Sequence, residues 1–246
     1  MPVYVVTGAR TGIGLEYIRQ LSQDAKNIVF ALVRDLSSDI AALSAIRDAS
    51  RAKTYIIECD VSSESSVAAL PARLRAAVDD SSSLIINTLI NNAAVLHSRE
   101  ESALTLSTTA LHSHITTNTL GPALVFRALY DAGLLVPDAV VANISSGVGS
   151  LEMLSDGRIA AAITPYSISK AALNMLTVHQ AKQLRAAGSR IVVVAIDPGH
   201  VKTEMGGPDA VVEIPDSASG VLKVLAGLKE EDSGKFLLYT GAELDW

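Results

Sequence analysis

The sequence predicts an α/β fold: a single domain spanning residues 1–246, with a doubly wound parallel β-sheet of about seven strands and helices on both faces. Three observations carry that expectation. Short runs rich in β-branched residues alternate with stretches of helical length. The runs are apolar almost from end to end, as strands covered on both faces are. The first run leads straight into a glycine-rich turn that opens a helix. A chain of 246 residues, 49% of them hydrophobic, is long enough to bury one large core.

In chain order, strands are expected at residues 3–7, 28–33, 54–58, 88–91, 140–145, 191–196 and 236–239. Helices are expected at 12–23, 39–49, 62–78, 109–130, 166–187 and 217–228. In the first helix Leu15, Ile18 and Leu21 line one side while Glu16 and Arg19 point elsewhere. Ser62 and Ser217 are expected N-caps of their helices. Right-handed crossovers between such units give a sheet of the Rossmann type. Ser81-Ser82-Ser83 reads as a short polar loop, and Asp79-Asp80 and Glu230-Glu231-Asp232 as solvated loop charges. The irregular segments 147–164 and 204–216 each follow a strand. A parallel sheet brings such segments to its carboxyl edge, where ligands bind.

Composition excludes several classes. Twenty basic against twenty-six acidic residues give a net charge of −6, which argues against a nucleic-acid surface. The single cysteine, Cys59, makes neither an internal disulfide nor, alone, a metal site. Apolar runs such as 191–196 are far too short for a membrane span, and the N-terminus lacks the basic region of a signal peptide. A cytoplasmic protein without membrane or nucleic-acid partners is the expectation. His112 and His114 are two apart in an expected helix and point apart, His97 and His179 show no partner, and no metal is expected.

The turn reads Thr7-Gly8-Ala9-Arg10-Thr11-Gly12-Ile13-Gly14. Glycines let the backbone turn sharply and approach a ligand closely, and the following helix N-terminus faces a diphosphate with N–H groups and positive potential. A tight connection without a ligand is the plainer alternative. Tyr166 and Lys170, four apart, share one face of a helix, so an ammonium stands one turn from a phenol. A phenol ionises near pH 10, and neighbouring positive charge is expected to draw it toward the working range. Taken alone, such a pair is more often an ordinary exposed one.

Further motifs occur in a telling order: Asp60-Val61, Asn91-Asn92-Ala93-Ala94, Asn118, Ser145-Ser146, Tyr166-Ser167-Ile168-Ser169-Lys170 and Pro198-Gly199. With the spacing of the glycine turn, the chain from residue 3 to about 205 resembles the short-chain dehydrogenase/reductase superfamily. That resemblance implies a nicotinamide cofactor and a catalytic set of Asn118, Ser146, Tyr166 and Lys170. Ser146 would orient a carbonyl or hydroxyl oxygen, and Asn118 would support a proton path with Lys170. The cofactor contacts it implies are Gly8, Arg10, Thr11, Gly12, Ile13, Gly14, Arg34, Asp60, Val61, Asn91, Lys170, Pro198, Gly199, Val201 and Thr203. Among these Asp60 would meet the adenine edge, Asn91 the adenosine side and Thr203 the nicotinamide carboxamide. His200 stands where many relatives carry an aromatic residue, and a partly buried ring is expected there.

The second strand ends Ala31-Leu32-Val33-Arg34-Asp35. An NAD site usually ends this strand with a carboxylate on the ribose. Here Val33 takes that place and Arg34 follows, which favours a 2′-phosphate and hence NADP(H). The alternative has Arg34 in solvent and Asp35 on the ribose. The family's usual basic residue before the second glycine is replaced by Thr11, leaving Arg10 one position earlier.

A small-molecule carbonyl or alcohol substrate follows. Leu151, Met153, Leu154 and Ile159 read equally as pocket wall or as a surface excursion. Val211, Val212 and Ile214 suggest an apolar lid, hence a hydrophobic ketone or aldehyde. Gly206-Gly207 and the end 236–241 with Trp246 resemble a carbonyl-reductase-like branch with fungal members, some of which act in secondary metabolism. A non-redox catalyst using the nucleotide as scaffold, and a non-catalytic NADP(H) sensor, are the rival readings. The resemblance further implies a homodimer or homotetramer paired through residues 109–130 and 166–187.

Overall fold

The computed structural model describes residues 1–79 and 84–246. Asp80 and the expected Ser81-Ser82-Ser83 loop lie outside the described residues. Seven parallel strands form one sheet in the order β3-β2-β1-β4-β5-β6-β7: β1 Val3–Thr7, β2 Ile28–Val33, β3 Lys53–Glu58, β4 Ile86–Asn91, β5 Leu135–Ile144, β6 Val192–Asp197 and β7 Phe236–Leu238. The order reverses between β1 and β4, which opens a crevice at their carboxyl ends.

Side chains alternate between the two faces. Val5, Phe30, Leu32, Leu89, Val141 and Val193 enter one core, and Val6, Val29, Ala31, Ile90, Ala142 and Val194 enter the other. Helices α1 (Gly12–Leu21) and α9 (Ile214–Gly227) cover the second core with Tyr17, Ile18, Val221 and Leu225. Helices α6 (Gly121–Asp131) and α8 (Thr164–Ala186) cover the first with Val125, Phe126, Leu129 and Leu184. Each such aliphatic side chain contributes roughly 1.5–3 kcal/mol on burial. No helix among the described residues is long and apolar enough to cross a membrane.

Several expected boundaries are corrected. The helix expected at 62–78 is two, α3 (Glu64–Ala68) and α4 (Leu70–Ala77), because Pro71 in the first turn of α4 lacks an N–H to continue the ladder. Ser63, rather than Ser62, caps α3 by accepting from Ser66 N–H, while the Ser62 hydroxyl donates to Asp60 at 2.6 Å. Helix α9 begins at Ile214, so Ser217 lies inside it and donates to the Pro198 carbonyl at 2.7 Å. β5 starts earlier than its apolar run, and a register irregularity between Ile86 and Thr88 on β4 takes up Pro137 and Asp138.

The expected 109–130 helix is continuous but not uniform. α5 (Thr108–Ile115) passes through a π turn at Thr116–Leu120 into α6. Pro122 has no N–H for the Asn118 carbonyl, which relaxes the helix at that point. α7 (Leu151–Ser155) is a short helix within the irregular segment after β5.

A buried polar chain ties sheet to helix. Asn91 Nδ2 donates to Asn143 Oδ1 at 2.9 Å, and Asn143 Nδ2 donates to Thr177 Oγ1 at 2.9 Å and Gln180 Oε1 at 3.1 Å. β4, β5 and α8 are thereby held in one register directly beneath the crevice. Replacing Asn143 by alanine leaves three polar partners short of a bond. Asn143→Ala is therefore expected to lower unfolding stability by roughly 2–4 kcal/mol, read from urea melts.

Candidate active site

A cleft of about 750 Å³ lies at the switch point, lined by the glycine turn, the ends of β2 and β3, the loop after β4, the α8 face and the loop after β6. Gly8 and Gly12 adopt φ of +67° and +57°, a region that L side chains rarely occupy. A Cβ on Gly8 would stand 2.7 Å from Ala93 Cα, and one on Gly14 would stand 2.2 Å from the Gly8 carbonyl oxygen. No side chain caps α1 at Thr11, so its N-terminus is available to an anion.

Two residues that fasten this turn carry no role in the sequence reading. The Thr7 hydroxyl accepts from Asn92 N–H and Ala93 N–H, both at 2.9 Å. Asn92 Nδ2 donates back to the Thr7 carbonyl at 3.0 Å. Asn92 lines the cleft, whereas Asn91 is buried inside the sheet on Asn143 and is not brought to the cleft. The strand period explains the difference: adjacent residues point to opposite faces, and β4 ends at Asn91.

Arg10, Arg34, Asp35, Asp60 and Val61 all line the cleft. Val33 is buried and Arg34 exposed. The Asp35 carboxylate accepts from Ser37 N–H and Ser37 Oγ, both at 2.8 Å, and these bonds hold it below the usual carboxylate range. Arg10 and Arg34 enter no ion pair among the described residues. Asp60 accepts from Ser62, and Val61 packs where a Cβ on Gly121 would meet it at 3.0 Å.

On α8, Tyr166 and Lys170 line the opposite wall. Lys170 Nζ donates to the Ile144 carbonyl at 2.7 Å and lies 5.4 Å from the Tyr166 ring centroid. Burial pushes the Lys170 ammonium down to about 7, opposed by the negative charge of Asp197. Tyr166 differs from the expectation: burial, and then Asp197, push its hydroxyl above its ordinary value, with Arg99 acting the other way. Desolvation outweighs the Arg99 charge here.

Asn118 is fully buried in the π turn, where Oδ1 accepts from Val95 N–H at 2.8 Å and Nδ2 donates to the Val95 carbonyl and Ser169 Oγ, both at 3.0 Å. Its amide thus joins the loop after β4 to α8 one residue before Lys170. Of the paired serines, Ser145 lines the cleft but its hydroxyl is committed to Asn174 Oδ1 at 2.6 Å. Ser146, the serine expected to orient the substrate oxygen, is half-buried and stands next to the cleft lining rather than in it; its hydroxyl meets Val148 N–H at 3.4 Å and retains capacity for another partner.

Thr203 and Pro198 line the cleft, and Thr203 Cγ2 lies 3.4 Å from a Cβ built on Gly12. Gly199 takes φ +83° and Val201 is buried, bridging to Val212. His200 is exposed, with Nε2 against the Gly206 carbonyl at 2.8 Å, so it is not the partly buried ring expected. His97 does have partners: Ser113 Oγ at 3.0 Å and the ring of buried His114 at 4.3 Å, which in turn meets Tyr166 edge-on at 6.3 Å. His112 is exposed and His114 buried, as their spacing requires.

The expected pocket wall and apolar lid are brought to the cleft only in part. Met153 and Ile159 approach Gly147 beside Ser146, but Leu151 is 72% exposed. Ile214 lines the cleft while Val211 is 73% exposed. Leu96, Arg99, Glu204 and Met205 complete the mouth, and the Arg99 guanidinium donates across it to the Met205 carbonyl. A further residue without a role in the sequence reading is Asp197, whose carboxylate bonds the backbone beside both Ser146 and Pro198.

Residues 2–210 match the family described as short chain dehydrogenase. The chain is 32% identical to a carbonyl reductase from chicken fatty liver whose crystal structure has NADPH bound, with a TM-score of 0.84 and all of both chains covered. It is 28% identical to the norsolorinic acid ketoreductase of Aspergillus parasiticus, over 99% of this chain and 91% of that one. It is 42% identical to the C-signal protein of Myxococcus xanthus over 53% of this chain and 75% of that one.

A side chain at Gly8 would close the turn against Ala93. Gly8→Val is expected to weaken NADPH binding at least about tenfold, read by quenching of nucleotide fluorescence.

Proposed function

The chain belongs to the short chain dehydrogenase family, and we propose that it is an NADP(H)-dependent carbonyl reductase with Tyr166 as proton donor. One observation carries the reading: a buried tyrosine hydroxyl and a buried lysine ammonium share a cleft with a glycine turn whose backbone leaves room for a diphosphate. The NADPH-bound carbonyl reductase and the ketoreductase among its relatives support the same chemistry.

The residues present fit the dinucleotide. The open N-terminus of α1, with Thr11, Gly12, Ile13 and Gly14, would hold the diphosphate, and Arg34, with Arg10, would hold a 2′-phosphate. Asp35 is already engaged by Ser37, which favours Arg34 over it. Asp60 and Val61 would face the adenine, Lys170 the ribose next to the nicotinamide, and Pro198, Gly199, Val201 and Thr203 the nicotinamide side. NADPH, when bound, supplies the hydride that the carbonyl carbon receives.

The protein's own part is to orient the carbonyl and to deliver a proton. Ser146 Oγ would hold the carbonyl oxygen, since Ser145 is committed to Asn174. A reductase needs its acid protonated on arrival, and burial keeps the Tyr166 hydroxyl protonated across neutral pH. As the proton leaves, Lys170 and Arg99 are the cations placed to balance the phenolate. Asn118 would serve this step by fixing α8 to the loop after β4, so that Tyr166 and Lys170 hold their places. Leu96, Met205 and Ile214 favour a hydrophobic ketone or aldehyde, with Arg99 and Glu204 meeting its polar end. Leu120 and Met175 stand exposed on the two helices that would pair in a homodimer or homotetramer.

Tyr166→Phe is expected to lower kcat by roughly a thousandfold for a carbonyl panel while NADPH affinity stays within a factor of about two. Near-normal oxidation of NADPH by that variant, followed by absorbance of the reduced nicotinamide, overturns the role. Arg34→Ala is expected to weaken NADPH binding by about ten- to a hundredfold and to leave NADH binding unchanged, read by titration with each nucleotide.

A further inference from the structure

Asp197 is the one acid in a strand otherwise made of Val192, Val193, Val194, Ala195 and Ile196. The backbone ladder between β5 and β6 ends where Ser145 N–H donates to the Ile196 carbonyl at 2.7 Å. Asp197 carries the connection one step farther with its side chain. Oδ2 accepts from Gly147 N–H at 2.8 Å, and Oδ1 accepts from Gly199 N–H at 2.7 Å. Gly147 follows Ser146 and opens its 3₁₀ turn, and Gly199 follows Pro198. The fit is tight: a Cβ on Gly147 would lie 3.0 Å from both Asp197 Oδ2 and Ile159 Cδ1.

We propose that Asp197 is a positioning residue, whose single carboxylate locks the turn carrying Ser146 to the Pro198–Gly199 turn so that the two sides of the cleft keep one spacing. The proposal rests on the assignment of Ser146 and Tyr166 given above. An asparagine here keeps the shape but offers one acceptor and one NH₂ group, so it cannot accept from both N–H donors.

Burial raises the Asp197 carboxyl above its ordinary value, opposed by the Gly199 and Gly147 N–H donors and then by Lys170 and His200; ionised, it adds a negative charge to the site. The titratable and charged groups around it are Lys170 and Tyr166 from α8 and His200 from the loop after β6; Tyr166 is also faced by Arg99 from the loop after β4 and by His114 of α5, edge-on at 6.3 Å. That charge favours the Lys170 ammonium and disfavours a Tyr166 phenolate. Removing it lets Tyr166 ionise at lower pH, so the alkaline limb of a reduction, which needs the protonated phenol, moves down.

The experiment compares Asp197→Asn and Gly147→Ala with the wild type in NADPH affinity, melting temperature and the pH profile of kcat/KM for carbonyl reduction. Asp197→Asn is expected to lower kcat about tenfold and shift the alkaline limb down by about one pH unit, with little change in melting temperature. Gly147→Ala displaces the turn but keeps the charge, so it is expected to lower kcat about as much with the limb unmoved. Wild-type kcat and an unmoved limb in Asp197→Asn overturn the proposal. Should that variant not fold, wild-type kcat in Gly147→Ala overturns it instead. If the wild type reduces no carbonyl in the panel, the proposed activity fails and nucleotide affinity decides about Asp197. Both variants are then expected to bind NADPH about fivefold more weakly, and unchanged affinity overturns the lock.

Discussion

A lysine ammonium taken out of water is costly unless its donors are satisfied and opposite charge is near, and the site is organised around meeting that constraint at Lys170. Among the described residues Lys170 is the only charged side chain buried to this degree. The Ile144 carbonyl at the end of β5 accepts a hydrogen bond from it, and Asp197 at the end of β6 supplies the negative field. Both groups exist because parallel strands end together at one edge. The helix carrying Lys170 must in turn hold its place against that edge, which is the work of Asn143, Thr177 and Gln180 below and of Asn118 and Ser169 beside it. The amphipathic faces set the fold, but polar side chains set the register of the site.

The two ends of the cleft differ in character. The glycine turn is shaped by what is missing, since Cβ atoms at Gly8 and Gly14 would collide with backbone. It is fastened by Thr7 and Asn92 through backbone bonds. The mouth is instead shaped by side chains from two loops that meet when Arg99 reaches the Met205 carbonyl. Variation in those loops alters what enters without touching the turn.

Strand order aside, most of the fold was legible in the sequence, because apolar runs covered on both faces leave a plain signal. The helix breaks were less so: Pro71 splits one expected helix, and the π turn at Thr116–Leu120 leaves no mark in apolar periodicity. In the site, the glycine turn and the Tyr166–Lys170 spacing were readable because each rests on local geometry. Asn91 and Asn92 are adjacent letters in the sequence, and only the end of β4 decides which one faces the cleft. Asp197 carries no motif that marks it, because the partners of a lone acid at a strand end lie in other segments. Its two acceptor bonds join Gly147, fifty residues before it, to Gly199, two residues after it. The direction of the Tyr166 shift is not legible in the sequence, because charge can be counted there whereas desolvation depends on what packs around the ring.

The π turn has a consequence for how the chain tolerates changes in length. Each residue added to or removed from a helix rotates everything beyond it by about 100°. Asn118 reaches Val95 on one side and Ser169 on the other from inside the widened turn. A one-residue insertion or deletion between α5 and that turn would swing the amide away from both. The segment from α5 to α6 is therefore a fixed-length spacer, and the chain can grow or shrink only in the loops outside it.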